Sequence, residues 1–147
     1  MTPLELKDFY KKINHFDRTL DFNLDITADG TVTYETIISK RHLSSPDTCH
    51  GGALAGLMDN VLGVTALAYA VQQNMLCATV EFKINYLTPA KLGDKIFGKA
   101  KIDHKGQRLV VTSGTLETED RLIAKGLGTF NLYPYEKSNF FGLERNS

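Results

Sequence analysis

The chain of 147 residues has no tryptophan, only two cysteines, only four prolines and no net charge, its 17 Lys and Arg being matched by 17 Asp and Glu. Each shortage excludes something. Cys49 and Cys77 cannot build the disulfide framework of a small secreted domain, and they fit the reduced thiols of a cytoplasmic protein. Balanced charge supplies no basic excess to recommend nucleic acid as a partner. His15, His42, His50 and His104 are scattered without ligand spacing, so no metal is expected. The first residues include acidic side chains and no apolar run, unlike a signal peptide. What remains, 42% hydrophobic and 23% charged, is an ordinary globular composition, expected to form one domain over residues 1–147.

Only one long apolar run is present, and a carboxylate interrupts it. Between Cys49 and Ala70, Ala53, Leu54, Leu57, Met58, Val61, Leu62, Val64, Leu67 and Ala68 cover every face of a helix, with no proline from Pro46 to Pro89. The segment reads as a helix buried on nearly all sides. Its length would suffice for a bilayer, but Asp59-Asn60 at its centre and the lack of flanking cationic anchors argue against a membrane span. Aspartate is almost never fully buried without a reason, so Asp59 is the first candidate for chemistry.

The start of that helix is the second. Gly51 and Gly52 follow His50, leaving unpaired N–H groups free of side-chain bulk, with the positive end of the helix dipole behind them. Such an end suits an oxygen that gains negative charge. The eight residues from Gly51 to Asp59 rise about 12 Å along a helix, too far for both groups of one chain to reach one small reacting centre. If they cooperate they come from two chains, so a homo-oligomer is expected.

Elsewhere the chain alternates between clear signals. Thr2-Pro3-Leu4-Glu5 predicts a capped helix start, with Leu6, Phe9, Tyr10 and Ile13 as its apolar stripe. Residues 16–26, where Leu20, Phe22, Leu24 and Ile26 alternate, predict a strand; Asp29-Gly30 predicts a hairpin, and 31–39 the returning strand. Lys40 to Thr48 is a polar loop. Beyond the apolar helix the period falls to 2, and Ala78, Val80, Phe82, Ile84 and Tyr86 alternate with Thr79, Glu81, Lys83 and Asn85. Strands over 95–103, 108–118 and 121–133 complete a meander. Gly98, Gly114, Gly126 and Gly128 fall inside those strands, where glycine is unfavourable unless something approaches closely, and the apolar helix is what can approach. The class is therefore α+β, an antiparallel sheet wrapped around one long central helix.

The segment H-G-G-A-L-A-G-L-M-D-N, followed by T-V-E-F-K-I-N-Y-L-T-P-A-K-L-G-D, resembles the hotdog-fold acyl-CoA thioesterases of the PaaI-like group, over about residues 40 to 132. The resemblance implies a hydrolase acting on an acyl- or aryl-CoA thioester, with coenzyme A entering as part of the substrate and no resident cofactor. It places Asp59 as general base or nucleophile, the Gly51 N–H as the group that polarises the thioester carbonyl, and Thr79 as the hydroxyl that assists Asp59 or its water. One position departs from the pattern: many members carry Asn six residues before the His, and here Ser44 stands there, with a hydroxyl that can also donate and accept. His50, Gly52 and Asn60 flank these groups as substrate contacts. Members of the group are dimers or pairs of dimers, in agreement with the two-chain requirement.

Other features carry weaker expectations. Lys105 and Arg108, with Lys101 and His104 at the same turn, are candidates to hold the phosphates of coenzyme A, against a plain reading as solvated turn charge. Asp59 also reads as a carboxylate satisfied by its neighbours, and Thr79 as an ordinary strand residue. His50 reads more readily as structural than as catalytic. Cys49 beside His50 lacks a third, orienting group and is not expected to be a nucleophile. Phe140-Phe141 calls for a cover, either a partner subunit or the acyl channel. A non-catalytic module that binds an acyl-CoA or acyl carrier, and a hydratase or dehydratase of related fold, stand as alternatives to the thioesterase.

Overall fold

The computed structural model describes residues 1–142. Two helices, α1 (Pro3–Ile13) and α2 (His15–Leu20), precede a short hairpin of β1 (Asn23–Ile26) and β2 (Val32–Ile37). The long helix α3 (Gly51–Ala70) follows, and then β3 (Met75–Tyr86), β4 (Lys95–Lys105), β5 (Leu109–Glu117) and β6 (Leu122–Pro134). The strands form one six-stranded sheet in the order β1-β2-β4-β5-β6-β3, with every pairing antiparallel. This sheet curls around α3 in the hotdog arrangement, and β3 is left as one of its two edges.

Local chemistry sets the element boundaries. At α1 the Thr2 hydroxyl accepts from the Glu5 N–H at 3.2 Å and the Glu5 carboxylate accepts from the Thr2 N–H at 2.8 Å, a reciprocal cap with Pro3 in the first turn. The strand predicted from residue 16 is a correction. Residues 15–20 are helical, because the Asn14 side chain caps the Asp17 N–H at 3.0 Å and the turn swings Asp17 inward, where Tyr34 donates to it at 2.7 Å. Asp21 then ends the helix in the left-handed region at φ 55°, and only Asn23 to Ile26 extends as a strand. A cap and a buried tertiary bond outweigh a period-2 pattern that has few residues to speak for it.

The helix and sheet fit through missing side chains. A Cβ on Gly126 would stand 2.5 Å from Met58 Sδ, and one on Gly98 would stand 3.1 Å from Leu116 and 3.7 Å from Val61. Glycine there lets the strands close on the helix. Leu57, Met58, Val61, Leu62, Val64 and Leu67 are buried in the resulting core, and although α3 is long and apolar enough to cross a membrane, it is packed mostly inside the sheet. It is not buried on all sides: Gly51, Ala55, Gly56, Asp59, Asn60 and Gly63 run along a face that is only half covered.

The C-terminal aromatics find their cover within the chain. Phe140 lies 5.4 Å from Phe9 and stacks on Tyr10 at 6.4 Å, while Phe141 packs against Phe9 at 5.6 Å and Tyr135 at 4.8 Å. The tail thus docks on α1.

Candidate active site

Asp59 opens into a pocket between α3 and β3. Its lining includes Asn60, Gly63, Val64 and Leu67 from α3, Cys77 and Thr79 from β3, Phe130 from β6 and Tyr10 from α1. The Thr79 hydroxyl donates to Asp59 Oδ1 at 2.9 Å. Among the described residues no hydrogen-bond donor reaches the second carboxylate oxygen. A break in the strand makes the pair possible. Opposite β6 the register steps from Thr79–Phe130 to Glu81–Thr129, so Val80 is a bulge. The extra residue reverses the alternation, turning Thr79 to the helix together with Phe82, Ile84 and Tyr86 and leaving Val80 58% exposed. Simple alternation puts Thr79 on the opposite face from Tyr86.

A separate cleft lies at the start of α3, lined by Cys49, Gly51, Leu54, Tyr86 and the 87–90 turn. His50 caps the helix, its Nδ1 accepting the Gly52 N–H at 2.7 Å, which places the proton of the neutral ring on Nε2. The Gly52 N–H is therefore committed to the cap and is not available to a substrate, a correction to its expected role. The Gly51 N–H meets no acceptor among the described residues. Its peptide is held from the other side: the His50 carbonyl accepts from the Ala53 N–H at 3.0 Å, the Leu54 N–H at 3.4 Å and the Cys49 thiol at 3.5 Å. Donors on the carbonyl polarise the peptide and strengthen the opposite N–H. Tyr86 completes the cleft, donating its hydroxyl to the Gly51 carbonyl at 2.7 Å.

Residues 47–125, more than half of the chain, match the thioesterase superfamily. The chain belongs to that superfamily. As such it is a thioester hydrolase. Human acyl-coenzyme A thioesterase 13 is 32% identical over 124 residues, covering 82% of this chain and 87% of that one. Among solved structures, the Escherichia coli PaaI protein from the phenylacetic acid degradation operon aligns with a TM-score of 0.81 over 89% of this chain and 93% of its own, at 17% identity. A hypothetical thioesterase of Streptococcus pneumoniae, solved with coenzyme A, gives 0.72 over 88% and 97% at 25% identity.

Within this thioesterase chain, the sequence candidates divide. Asp59 and Thr79 meet, and Gly51 offers its N–H in a different cleft. Asn60 lines the Asp59 pocket, but its amide donates to Asp17 on α2, so at least that half of the side chain is structural. Ser44 is exposed, and both its N–H, at 3.0 Å, and its hydroxyl, at 3.5 Å, turn back to the Thr48 carbonyl; it reaches neither cleft. Lys105 lies over the Tyr69 ring at 4.9 Å, beside the C-terminal turn of α3 and so at the end of the helix remote from Gly51. Arg108 follows in the turn between β4 and β5, and neither residue lines the Gly51 cleft of the same chain. Burial pushes the Cys49 thiol up to about 11, and burial followed by Asp59 pushes Cys77 up to about 12, an environment that disfavours the thiolate at both positions. Tyr86 and Tyr10 were missed by sequence reading. Tyr86 had one signal, an aromatic with a polar tip closing the strand that also carries Thr79.

Proposed function

We propose that the protein hydrolyses an acyl- or aryl-CoA thioester to the free acid and coenzyme A at a site shared by two chains. The observation that carries this is the Asp59 carboxylate, held at one oxygen by Thr79 and open at the other. Coenzyme A as the thiol part is supported by the name of the human relative and by the ligand of the streptococcal neighbour. Asp59 takes a proton from water as the water oxygen attacks the thioester carbonyl carbon. The oxyanion that forms is met by the Gly51 N–H of the other protomer. Collapse breaks the C–S bond, and the departing thiolate recovers the proton from Asp59. A positioned base contributes about 10²–10⁴-fold, and one oxyanion donor about 10²–10³-fold.

The sharing follows from the separation of the two clefts along α3 and from the free edge of the sheet. Tyr86, at Gly51, and Thr79, at Asp59, lie at opposite ends of one stretch of β3, and Val80, Tyr86 and Leu87 are each more than half exposed. Antiparallel pairing of two β3 edges about a two-fold at Lys83 pairs Ile84 with the partner's Phe82 and sets Tyr86 of one protomer opposite the Thr79-Val80 bulge of the other. Two equal sites result, each needing both chains.

Two variants test this together. Asp59→Ala and Gly51→Pro, which removes the N–H donor at a helix position that tolerates proline, should each be folded and nearly inactive toward a panel of acyl-CoA thioesters assayed by released thiol. Refolded as an equal mixture, about half of the dimers are mixed and each has one intact site, so activity should return to about a quarter of wild type. A mixture as inactive as its components, with exchange verified by mass, overturns the shared site. A wild type that binds acyl-CoA without releasing thiol makes the protein a binding module.

A further inference from the structure

Tyr10 belongs to neither half of the catalytic arrangement, yet it lines the Asp59 pocket from α1. The pocket is small, about 110 Å³. Its other walls belong to the core: Leu67, Val64 and Phe130 stand on α3 and β6, where the sheet and helix fix them. Tyr10 is the wall that comes from outside that framework. Behind it stands the C-terminal segment, with Phe140 stacked on its ring at 6.4 Å and Phe9 bracing Phe140 at 5.4 Å. Burial, then the neighbouring Asp17, Cys77 and Asp59, push the phenol well above its ordinary range, so it is a neutral wall and not a second base.

We infer that Tyr10, backed by Phe140, is the end wall of the acyl pocket and sets the length of acyl group that the enzyme accepts. This rests on the acyl-CoA reading above. It makes the two terminal segments, which touch no reacting atom, the determinants of specificity, and it favours short acyl groups. The ring does this by occupying volume. Its hydroxyl is not required.

Binding of non-hydrolysable acyl-CoA thioethers of two to ten carbons, followed by calorimetry, tests the wall apart from catalysis. The wild type should bind the shorter analogues best, with affinity falling toward ten carbons. Tyr10→Ala should move the optimum to longer chains, each newly accommodated methylene adding about fourfold in affinity, so that the eight-carbon analogue gains tenfold or more. Tyr10→Phe should keep the wild-type order, and Phe140→Ala should shift it part of the way. Tyr10→Leu, which keeps an apolar cover on the core, serves if the alanine variant does not fold. An unchanged optimum in folded Tyr10→Ala or Tyr10→Leu overturns the wall while leaving the thioesterase reading intact. A shift in Tyr10→Phe equal to that in Tyr10→Ala assigns the effect to the hydroxyl and overturns the steric account. A wild type that binds none of the analogues overturns both readings.

Discussion

Two aspartates stand one residue apart in the hydrogen-bond pattern, since Asn60, the neighbour of Asp59, donates to Asp17. Their environments are opposite. Asp17 is 6% exposed, accepts from Tyr34 and Asn60, and is pushed up to about 6 by burial against the pull of those hydrogen bonds. Asp59 is half-buried at the mouth of a pocket and has Thr79 as its hydrogen-bond partner. The carboxylate with its partners supplied on both oxygens locks α2, β2 and α3 together; the one with an oxygen left over faces the pocket. Burial of a charge therefore marks structure at Asp17, and incomplete satisfaction is what supports the chemical role proposed for Asp59.

The contrast is broken most directly at Asp59. Asp59→Asn should lower kcat toward acyl-CoA by about 10²–10⁴-fold, while thermal unfolding stays close to wild type; activity within a few-fold of wild type would sink the catalytic assignment. Asp17→Ala should do the reverse. It strands the Tyr34 hydroxyl and the Asn60 amide without their acceptor, at about 1–3 kcal/mol for each buried donor, so urea unfolding should show a loss of several kcal/mol, while kcat per folded molecule changes little.

The sign of the pH dependence sharpens the comparison further. A carboxyl whose folded value is raised from 3.8 to about 6 binds its proton more tightly in the folded chain. Its stabilising contribution is complete below the unfolded value and is lost as pH rises through the folded one. Between about pH 4 and 6.5 the wild type should therefore lose about 2 kcal/mol relative to Asp17→Asn, measured as the difference between two unfolding series. A flat difference would contradict the buried state of Asp17. Smallest in effect is Thr79→Val, which removes a hydrogen bond to a charged group at about 1.5 kcal/mol and should lower kcat about tenfold with less change in KM.

Much of this was legible in the chain. The apolar run with Asp59 inside it, the glycines at its start and the period-2 strands after it follow from residue types and their spacing, and they led to the wrapped sheet and to two groups too far apart to share one centre. α2 was not legible, because Asn14 as a cap and Tyr34 as a distant partner for Asp17 are visible only once the chain has folded. The same holds for Gly52, whose N–H looks as free as that of Gly51 until the His50 ring turns back onto it.

Alternation along β3 is the clearest division. Sequence by itself determined that a strand runs through Thr79 and Tyr86 and that a carboxylate lies on the helix beside it, since both follow from short-range periodicity and hydrophobic burial. It could not place Thr79 on the helix side, because the bulge at Val80 arises from how β3 meets β6 and reverses the faces of every residue beyond it. Nor could it bring Tyr10 to the pocket, because that needs α1 and Phe140 to close on each other from opposite ends of the chain. Period and composition fix which elements form; which side chains meet is decided by register, caps and contacts between residues far apart in sequence.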